Sequence, residues 1–203
     1  MKTVPSVFAN RSRFLVSAMF VLLFGAGFSA CNLLNDPHDD DDHDDHDLIT
    51  TVRVSLVEQT SSFMSDFVWE DIDGVGGKNP NRIDTIVVGS GKTYTGMLTL
   101  ANKAKTPSED MTAEIREDAD EHQVFYTLSA GVGSAPGTIT VTDRDGRNLP
   151  LGLNFTWSVV QGGAGLPATL KITLYHYDEK SDKNGTDPAN ETDLEVVFPV
   201  VVR

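Results

Sequence analysis

The chain has 203 residues, with 16 Lys and Arg against 30 Asp and Glu, and its formal net charge is −14. This charge argues against nucleic-acid binding, because a net anion repels phosphates. The 39% of apolar residues, including two Trp and ten Phe, exclude a fully disordered chain. The single cysteine excludes a framework of disulfide bonds.

The first thirty residues have the plan of a secretory signal sequence. Lys2, Arg11 and Arg13 form a basic start, and an apolar run follows at 14–24. That run is far shorter than the roughly 20 residues of a bilayer-spanning helix. The segment is therefore predicted to be a targeting sequence rather than a membrane helix.

Small residues lead from the apolar run into the only cysteine, in the order Gly25-Ala-Gly-Phe-Ser-Ala-Cys31. This stretch resembles the lipobox of bacterial lipoproteins, in which the signal is cut before the cysteine and the cysteine is acylated. The resemblance implies a signal peptide at 1–30, a lipid anchor at Cys31 and an outer-membrane location facing the periplasm or the cell surface. Several acyl chains attach a protein almost permanently to a membrane, at ~0.8 kcal/mol per buried methylene. An ordinary secretory signal, with Cys31 a stray thiol, is the alternative.

An acidic block follows the cysteine. Eight of the twelve residues 36–47 are Asp and three are His. Without residues 1–30, 13 positive charges remain against 30 negative ones, a net charge of −17. Such a block repels itself and buries no apolar surface, so 31–47 is predicted to be a disordered tether. The tether separates the membrane from a single folded domain at 48–203.

The histidines of the tether are the first candidate metal ligands. Imidazole nitrogens and carboxylate oxygens both bind zinc and related divalent cations. His43 and His46 are three residues apart and flanked by Asp, which suits binding of one ion. The predicted weak site comprises His38, His43, His46, Asp42, Asp44, Asp45 and Asp47. The alternative is a solvated acidic spacer in which the histidines have no role.

From residue 48 onward, apolar and polar residues alternate with a period of two, as in strands with one buried face. The clearest strand is 151–159, with Leu153, Phe155 and Trp157 on one face. Gly, Asn, Asp and Pro separate the strands. The predicted strands are 50–57, 63–72, 83–88, 94–100, 124–128, 138–142, 151–159, 170–177 and 194–202.

One segment has the pattern of a helix. Thr106-Pro-Ser-Glu109 forms a capping box with Pro at the first helical position. Met111, Ile115, Ala119 and His122 then make a narrow apolar stripe. The sequence predicts a helix over 107–121 inserted in a mainly antiparallel, all-β, immunoglobulin-like sandwich of about seven to nine strands.

Two further histidines belong to the predicted domain. His122 ends the helical stripe, and His176 continues the inward alternation of Leu170, Ile172 and Leu174. A histidine at the rim of a core is either a hydrogen-bonded packing residue or a metal ligand. Both are possible ligands, and the sequence leaves open whether they meet in space.

The motifs do not indicate catalysis. Cys31 is assigned to the anchor, and no Ser, His and Asp stand out as a catalytic set. Gly89-Ser-Gly-Lys-Thr93 resembles the end of a phosphate-binding loop, but Ile86 occupies the position that needs the first glycine. A strand, not a helix, is predicted after it. The chain is therefore predicted not to be an enzyme.

Three segments together resemble a group of short lipoproteins of Bacteroidetes-type bacteria. These are the Asp/His-rich stretch running into Leu48-Ile-Thr-Thr-Val52, Phe67-Val-Trp-Glu-Asp-Ile-Asp-Gly-Val-Gly-Gly77 and Ala119-Asp-Glu-His-Gln-Val-Phe-Tyr126. Such chains are sometimes assigned a type 1 periplasmic binding fold, which implies ligand binding in the cell envelope. That fold has two lobes of alternating strands and helices, whereas the pattern here predicts a sandwich.

Two functions of different classes follow. The first is a non-catalytic envelope lipoprotein that binds a divalent metal, zinc above all, and can pass it to an outer-membrane transporter. The second is an adhesion or assembly module that binds a protein or glycan, with the acidic tether only a spacer. In both, the lipid anchor makes the membrane a partner, and nucleic acid is not one.

Overall fold

The computed structural model describes residues 48–74, 77–131, 135–160, 167–189 and 191–203. By its contacts the chain divides into Met1–Asp39 and Asp40–Arg203, and every described residue belongs to the second unit. Among these residues, no helix has the length and apolar character needed to cross a bilayer. The predicted signal peptide, Cys31 and the predicted tether lie outside the described residues, and so do His38, His43, His46, Asp42, Asp44, Asp45 and Asp47.

The described residues form ten strands and one helix. In chain order they are β1 (Thr51–Glu58), β2 (Met64–Glu70), β3 (Arg82–Ile83), β4 (Ile86–Val88), β5 (Thr93–Ala101), α1 (Met111–Glu117), β6 (His122–Ala130), β7 (Gly137–Val141), β8 (Asn154–Val159), β9 (Pro167–His176) and β10 (Glu191–Val202). Each of the nine predicted strands has a counterpart, but the count of about seven to nine is too low because the predicted strand 83–88 is two strands.

The strands form two sheets around one hydrophobic core. The six-stranded sheet has the order β3-β2-β1-β5-β8-β7, and the four-stranded sheet has the order β4-β10-β9-β6. All pairs between these strands are antiparallel except β4 with β10. Residues of both sheets belong to one buried cluster. The chain is therefore an all-β, mainly antiparallel sandwich with one short inserted helix, as predicted.

The predicted strand 83–88 is interrupted where the chain crosses from one sheet to the other. At Asp84 one of the two hydrogen bonds to Val68 comes from the side chain instead of the backbone. The Asp84 N–H donates to the Val68 carbonyl oxygen, and Asp84 Oδ2 accepts from the Val68 N–H. The two residues before it pair with β2, and β4 pairs with β10 in the other sheet. Apolar and polar residues continue to alternate where the chain crosses between sheets. This alternation therefore does not reveal the change of sheet.

The start of β8 lies three residues later than predicted. Leu151 and Leu153 are buried, yet their carbonyl oxygens accept hydrogen bonds from Val124 of one sheet and Leu98 of the other. Gly152 lies between them with φ +101, and a Cβ there would be 2.7 Å from the Val124 backbone oxygen. Only glycine fits this position readily.

The helix is shorter than predicted. It spans Met111–Glu117, and its N-cap is Asp110, whose side chain accepts from two backbone N–H groups of the first turn. The prediction of a cap at Thr106 is wrong because Glu109 exchanges both of its backbone hydrogen bonds with Asn102. That bridge holds the preceding segment outside the helix, and the cap falls to the next residue with a suitable oxygen.

The predicted apolar stripe packs as expected at three of its four positions. Met111 and Ile115 are buried residues of the helix, and Ala119, which follows the helix, is also buried. His122 is not on the helix, because the helix ends at Glu117 and His122 is the first residue of β6.

Candidate metal centre

Three adjacent strands bring His122, His176 and Asp193 together at one end of the four-stranded sheet. His122 begins β6 and His176 ends β9, and the two are direct cross-strand partners. Asp193 lies near the start of β10, on the other side of β9. Each residue offers one ligand atom, and these three atoms lie within 4.8 Å of one another. His, His and Asp are a known type of ligand set for zinc.

A β-bulge accounts for the position of Asp193. The register between β9 and β10 shifts between Thr192 and Leu194, which leaves Asp193 as the inserted residue. In a regular strand, Asp193 would point away from the side that Leu194 buries in the core. A bulge re-aims the side chain of its extra residue and is common beside functional sites.

The two histidine rings contact each other edge to face. Their centroids are 4.7 Å apart and their planes meet at 72°. His122 Nε2 lies 3.6 Å from Asp193 Oδ2, and the side chains of this pair are only 12% and 11% exposed. The site is therefore a partly desolvated rim of the core, where electrostatic interactions are stronger than in water.

The backbone after the helix orients the His122 ring. His122 Nδ1 lies 3.0 Å from the carbonyl oxygen of Asp118, the C-cap of α1. A carbonyl oxygen can only accept, so Nδ1 carries the proton of this hydrogen bond. In the neutral ring, the lone pair is then on Nε2, the atom near Asp193. Histidines that bind metals commonly donate their other N–H to a backbone carbonyl in this way.

Burial favours the neutral form of His122. Burial lowers its pKa from the usual value, and the neighbouring His176 also lowers it. The hydrogen bond to Asp118 and the charge of Asp193 raise the pKa, but they do not compensate for burial. Neutral imidazole is the form that binds metal ions.

A small cavity adjoins the site. Its volume is about 120 Å³, and His176, Tyr177, Asp178, Asp182, Pro188 and Ala189 line it. A four-coordinate zinc ion with three protein ligands keeps one position for water or another ligand. The cavity gives that ligand a place next to His176.

A buried ion pair fixes the loop that forms this cavity. Lys183 Nζ lies 2.9 Å from Asp145 Oδ2, with both side chains 0% exposed, and donates to the Ala119 carbonyl oxygen at 2.8 Å. Burial acts to raise the pKa of Asp145, but hydrogen bonds from Lys183 and from the Leu149 N–H lower it on balance. Burial lowers the pKa of Lys183, against the attraction of Asp145. The pair connects the loop after β9 to the chain just before His122.

The structure thus brings together the two domain histidines that the sequence singles out and adds Asp193, which the sequence does not indicate. Strand alternation is visible only from Leu194 onward, so the bulged residue before it has no signal of its own. Comparisons of the chain with family models, with curated proteins and with solved structures give no match. The chemistry of the site therefore rests on its own geometry.

Proposed function

We propose that this protein is a non-catalytic lipoprotein of the cell envelope that binds a divalent metal ion, zinc above all, at His122, His176 and Asp193. The observation that carries the proposal is the 3.6 Å separation of His122 Nε2 and Asp193 Oδ2. A lone pair facing a carboxylate oxygen is repulsive unless a cation or a proton lies between them. The lowered pKa of His122 disfavours the proton, and a metal ion is the cation that imidazole nitrogen and carboxylate oxygen both bind.

The distances suit a small transition-metal ion. Zinc bonds to imidazole nitrogen and carboxylate oxygen are about 2.0–2.2 Å long, so tetrahedral ligand atoms are about 3.3–3.6 Å apart. The His122–Asp193 separation is close to this value. The ligand atoms of all three residues lie within 4.8 Å of one another, so they would approach one another by at most about 1.5 Å on binding zinc.

The ligand types select the class of metal. Two imidazole nitrogens and one carboxylate favour zinc and its transition-metal neighbours over calcium and magnesium, which prefer all-oxygen sites. Three protein ligands leave an exchangeable position, which suits reversible capture.

Under this proposal the other predicted segments serve the same end. Acylated Cys31 holds the protein at the outer membrane, and the Asp/His tether attracts cations weakly. A disordered tether loses chain entropy when it wraps an ion, so its affinity is expected in the micromolar range or weaker. The domain site is largely formed before binding and is expected to bind more tightly. A transporter in the outer membrane is the proposed recipient of the ion.

Calorimetric zinc titration of three forms of the full chain tests the proposal. The forms are the wild type, the tether variant His38→Ala/His43→Ala/His46→Ala, and the domain variant His122→Gln/His176→Gln. We expect the tether variant to retain one zinc ion and the domain variant to lose the tighter one. Wild-type zinc affinity in the domain variant would refute the domain site.

The carboxylate ligand has a matched control on its own strand. Asp193→Asn is expected to weaken zinc binding by about tenfold or more, since it removes the anionic ligand. Glu195→Gln changes the charge equally, at a residue that is paired with Lys171 on the exposed side of β10. We expect Glu195→Gln to leave zinc affinity unchanged.

A further inference from the structure

An uncharged track runs along β5 on the outer face of the six-stranded sheet. It consists of the residues that alternate with buried Tyr94, Leu98 and Leu100, namely Thr93, Thr95, Met97, Thr99 and Ala101. At about 3.4 Å per residue, the track is roughly 27 Å long. Met97 is 46% exposed at its centre.

Two neighbouring strands widen one end of the track with hydroxyl groups. The cross-strand rows are Thr93–Ser158–Thr138 and Thr95–Thr156–Thr140. Adjacent strands place these side chains about 4.8 Å apart. Among the described residues, one protein hydrogen bond reaches these hydroxyls, from Gln59 Nε2 to Thr95 Oγ1 at 3.4 Å. The other hydroxyls can donate to and accept from a ligand.

The charged side chains that flank the track neutralise one another. The ion pairs are Arg53–Asp66 at 3.4 Å, Lys92–Glu58 at 2.8 Å and Lys103–Glu70. This surface is therefore close to neutral, although the chain as a whole carries −14. An anionic partner is repelled by the rest of the chain, and a cationic partner finds no excess negative charge here. A neutral partner fits both conditions.

At the Ala101 end, the track meets a groove of about 270 Å³ whose lining includes Thr51, Thr99, Lys103 and Asp110. Thr51 is 4% exposed, and its hydroxyl has no hydrogen-bond partner in the part of the chain that the structure describes. A buried polar group without a partner is costly, so it is a natural contact for a ligand hydroxyl.

We propose that the groove and the track bind a linear, neutral glycan. One sugar unit occupies the groove with a hydroxyl on Thr51, and the following units lie along β5. The Thr and Ser hydroxyls exchange hydrogen bonds with the sugar hydroxyls, and the Thr methyl groups and Met97 contact the C–H faces of the rings. The site is on the opposite sheet from His122, His176 and Asp193 and does not depend on the proposed metal function.

Calorimetric titration of the full chain with neutral hexasaccharides tests this proposal. The probes are cellohexaose, mannohexaose and laminarihexaose, with hexagalacturonate as the acidic counterpart. We expect at least one neutral probe to bind with a Kd of about a millimolar or lower, and the acidic probe to bind more weakly. Absence of binding by all three neutral probes, or equal binding of the acidic one, would overturn the proposal.

Variants locate the binding on the track. Thr95→Arg places a long cation across it and is expected to weaken binding by about tenfold or more. Thr51→Val removes the buried hydroxyl at nearly constant shape and is expected to weaken binding several-fold. Thr127→Arg is the control, because Thr127 is exposed on β6 of the other sheet. Thermal unfolding of each variant checks that the fold is retained. Wild-type affinity in Thr95→Arg would place the binding elsewhere and refute the proposal.

Discussion

His122 and His176 are direct cross-strand partners at the ends of β6 and β9, and their rings meet edge to face with centroids 4.7 Å apart. Because β9 lies between β6 and β10, the same end of the sheet also receives Asp193 from the bulge. The site thus depends on strand pairing and on one inserted residue. Its three residues come from three strands, so they come together only when these strands pair.

The pKa direction of His122 makes the stability of the metal-free protein depend on pH. Its pKa is lowered by burial in the folded state, whereas an unfolded histidine titrates near 6.5. The unfolded chain therefore binds the proton more readily, and this part of the stability is present above pH about 6.5 and is lost as pH falls through the lower, folded value.

Urea unfolding in the presence of a chelator, between pH 7.5 and 5, measures this loss. We expect His122→Gln to flatten the pH dependence over that interval. An equally steep loss in the variant would show that His122 is not the group responsible.

The buried pair of Lys183 and Asp145 is expected to be sensitive to removal of one partner. Lys183→Met leaves the Asp145 carboxylate buried without its cation, which destabilises proteins by about 3–5 kcal/mol. Adding Asp145→Asn removes the uncompensated charge while it keeps an oxygen for the Leu149 N–H. The double variant is therefore expected to be more stable than Lys183→Met alone.

A double-mutant cycle by urea unfolding measures this difference. If the double variant were less stable than the wild type by the sum of the two single-variant effects, the two side chains would not be coupled.

Trp157 is a fully buried residue of the core, with 0% exposure, and shares a face of β8 with Phe155 and Val159. Trp157→Ala removes a large buried side chain and is expected to cost about 3–5 kcal/mol of unfolding free energy. Met97→Ala, at an exposed position, is expected to cost less than about 1 kcal/mol. The midpoint of urea unfolding, at constant slope, measures both. Similar midpoints for the two variants would contradict the assigned burial.

Local patterns predict the strands of this fold better than they predict its site. Period-two alternation reflects which face of a strand is buried, so it identifies β8 and β9 without knowledge of their partners. It cannot reveal that Asp84 interrupts a strand, because the crossing between sheets depends on a hydrogen bond to Val68. In the same way, the bridge between Asn102 and Glu109 sets the start of the helix over a distance that a capping motif does not cover.

The sequence indicates two residues of the site separately, but it does not predict that they lie together. His122 and His176 are identifiable as histidines at the rim of a core, but their contact requires the pairing of β6 with β9. Asp193 has no local signal because a bulge breaks the alternation that would identify its face. The site therefore depends on the pairing of distant strands and on one inserted residue, and the local sequence pattern predicts neither.

The most direct test of the domain metal site is a crystal structure of the zinc-loaded protein, with anomalous diffraction measured on both sides of the zinc absorption edge. The proposed site predicts one strong anomalous peak about 2.0–2.2 Å from His122 Nε2, from a ring nitrogen of His176 and from a carboxylate oxygen of Asp193. Zinc peaks elsewhere on the chain, with none among these three side chains, would contradict it.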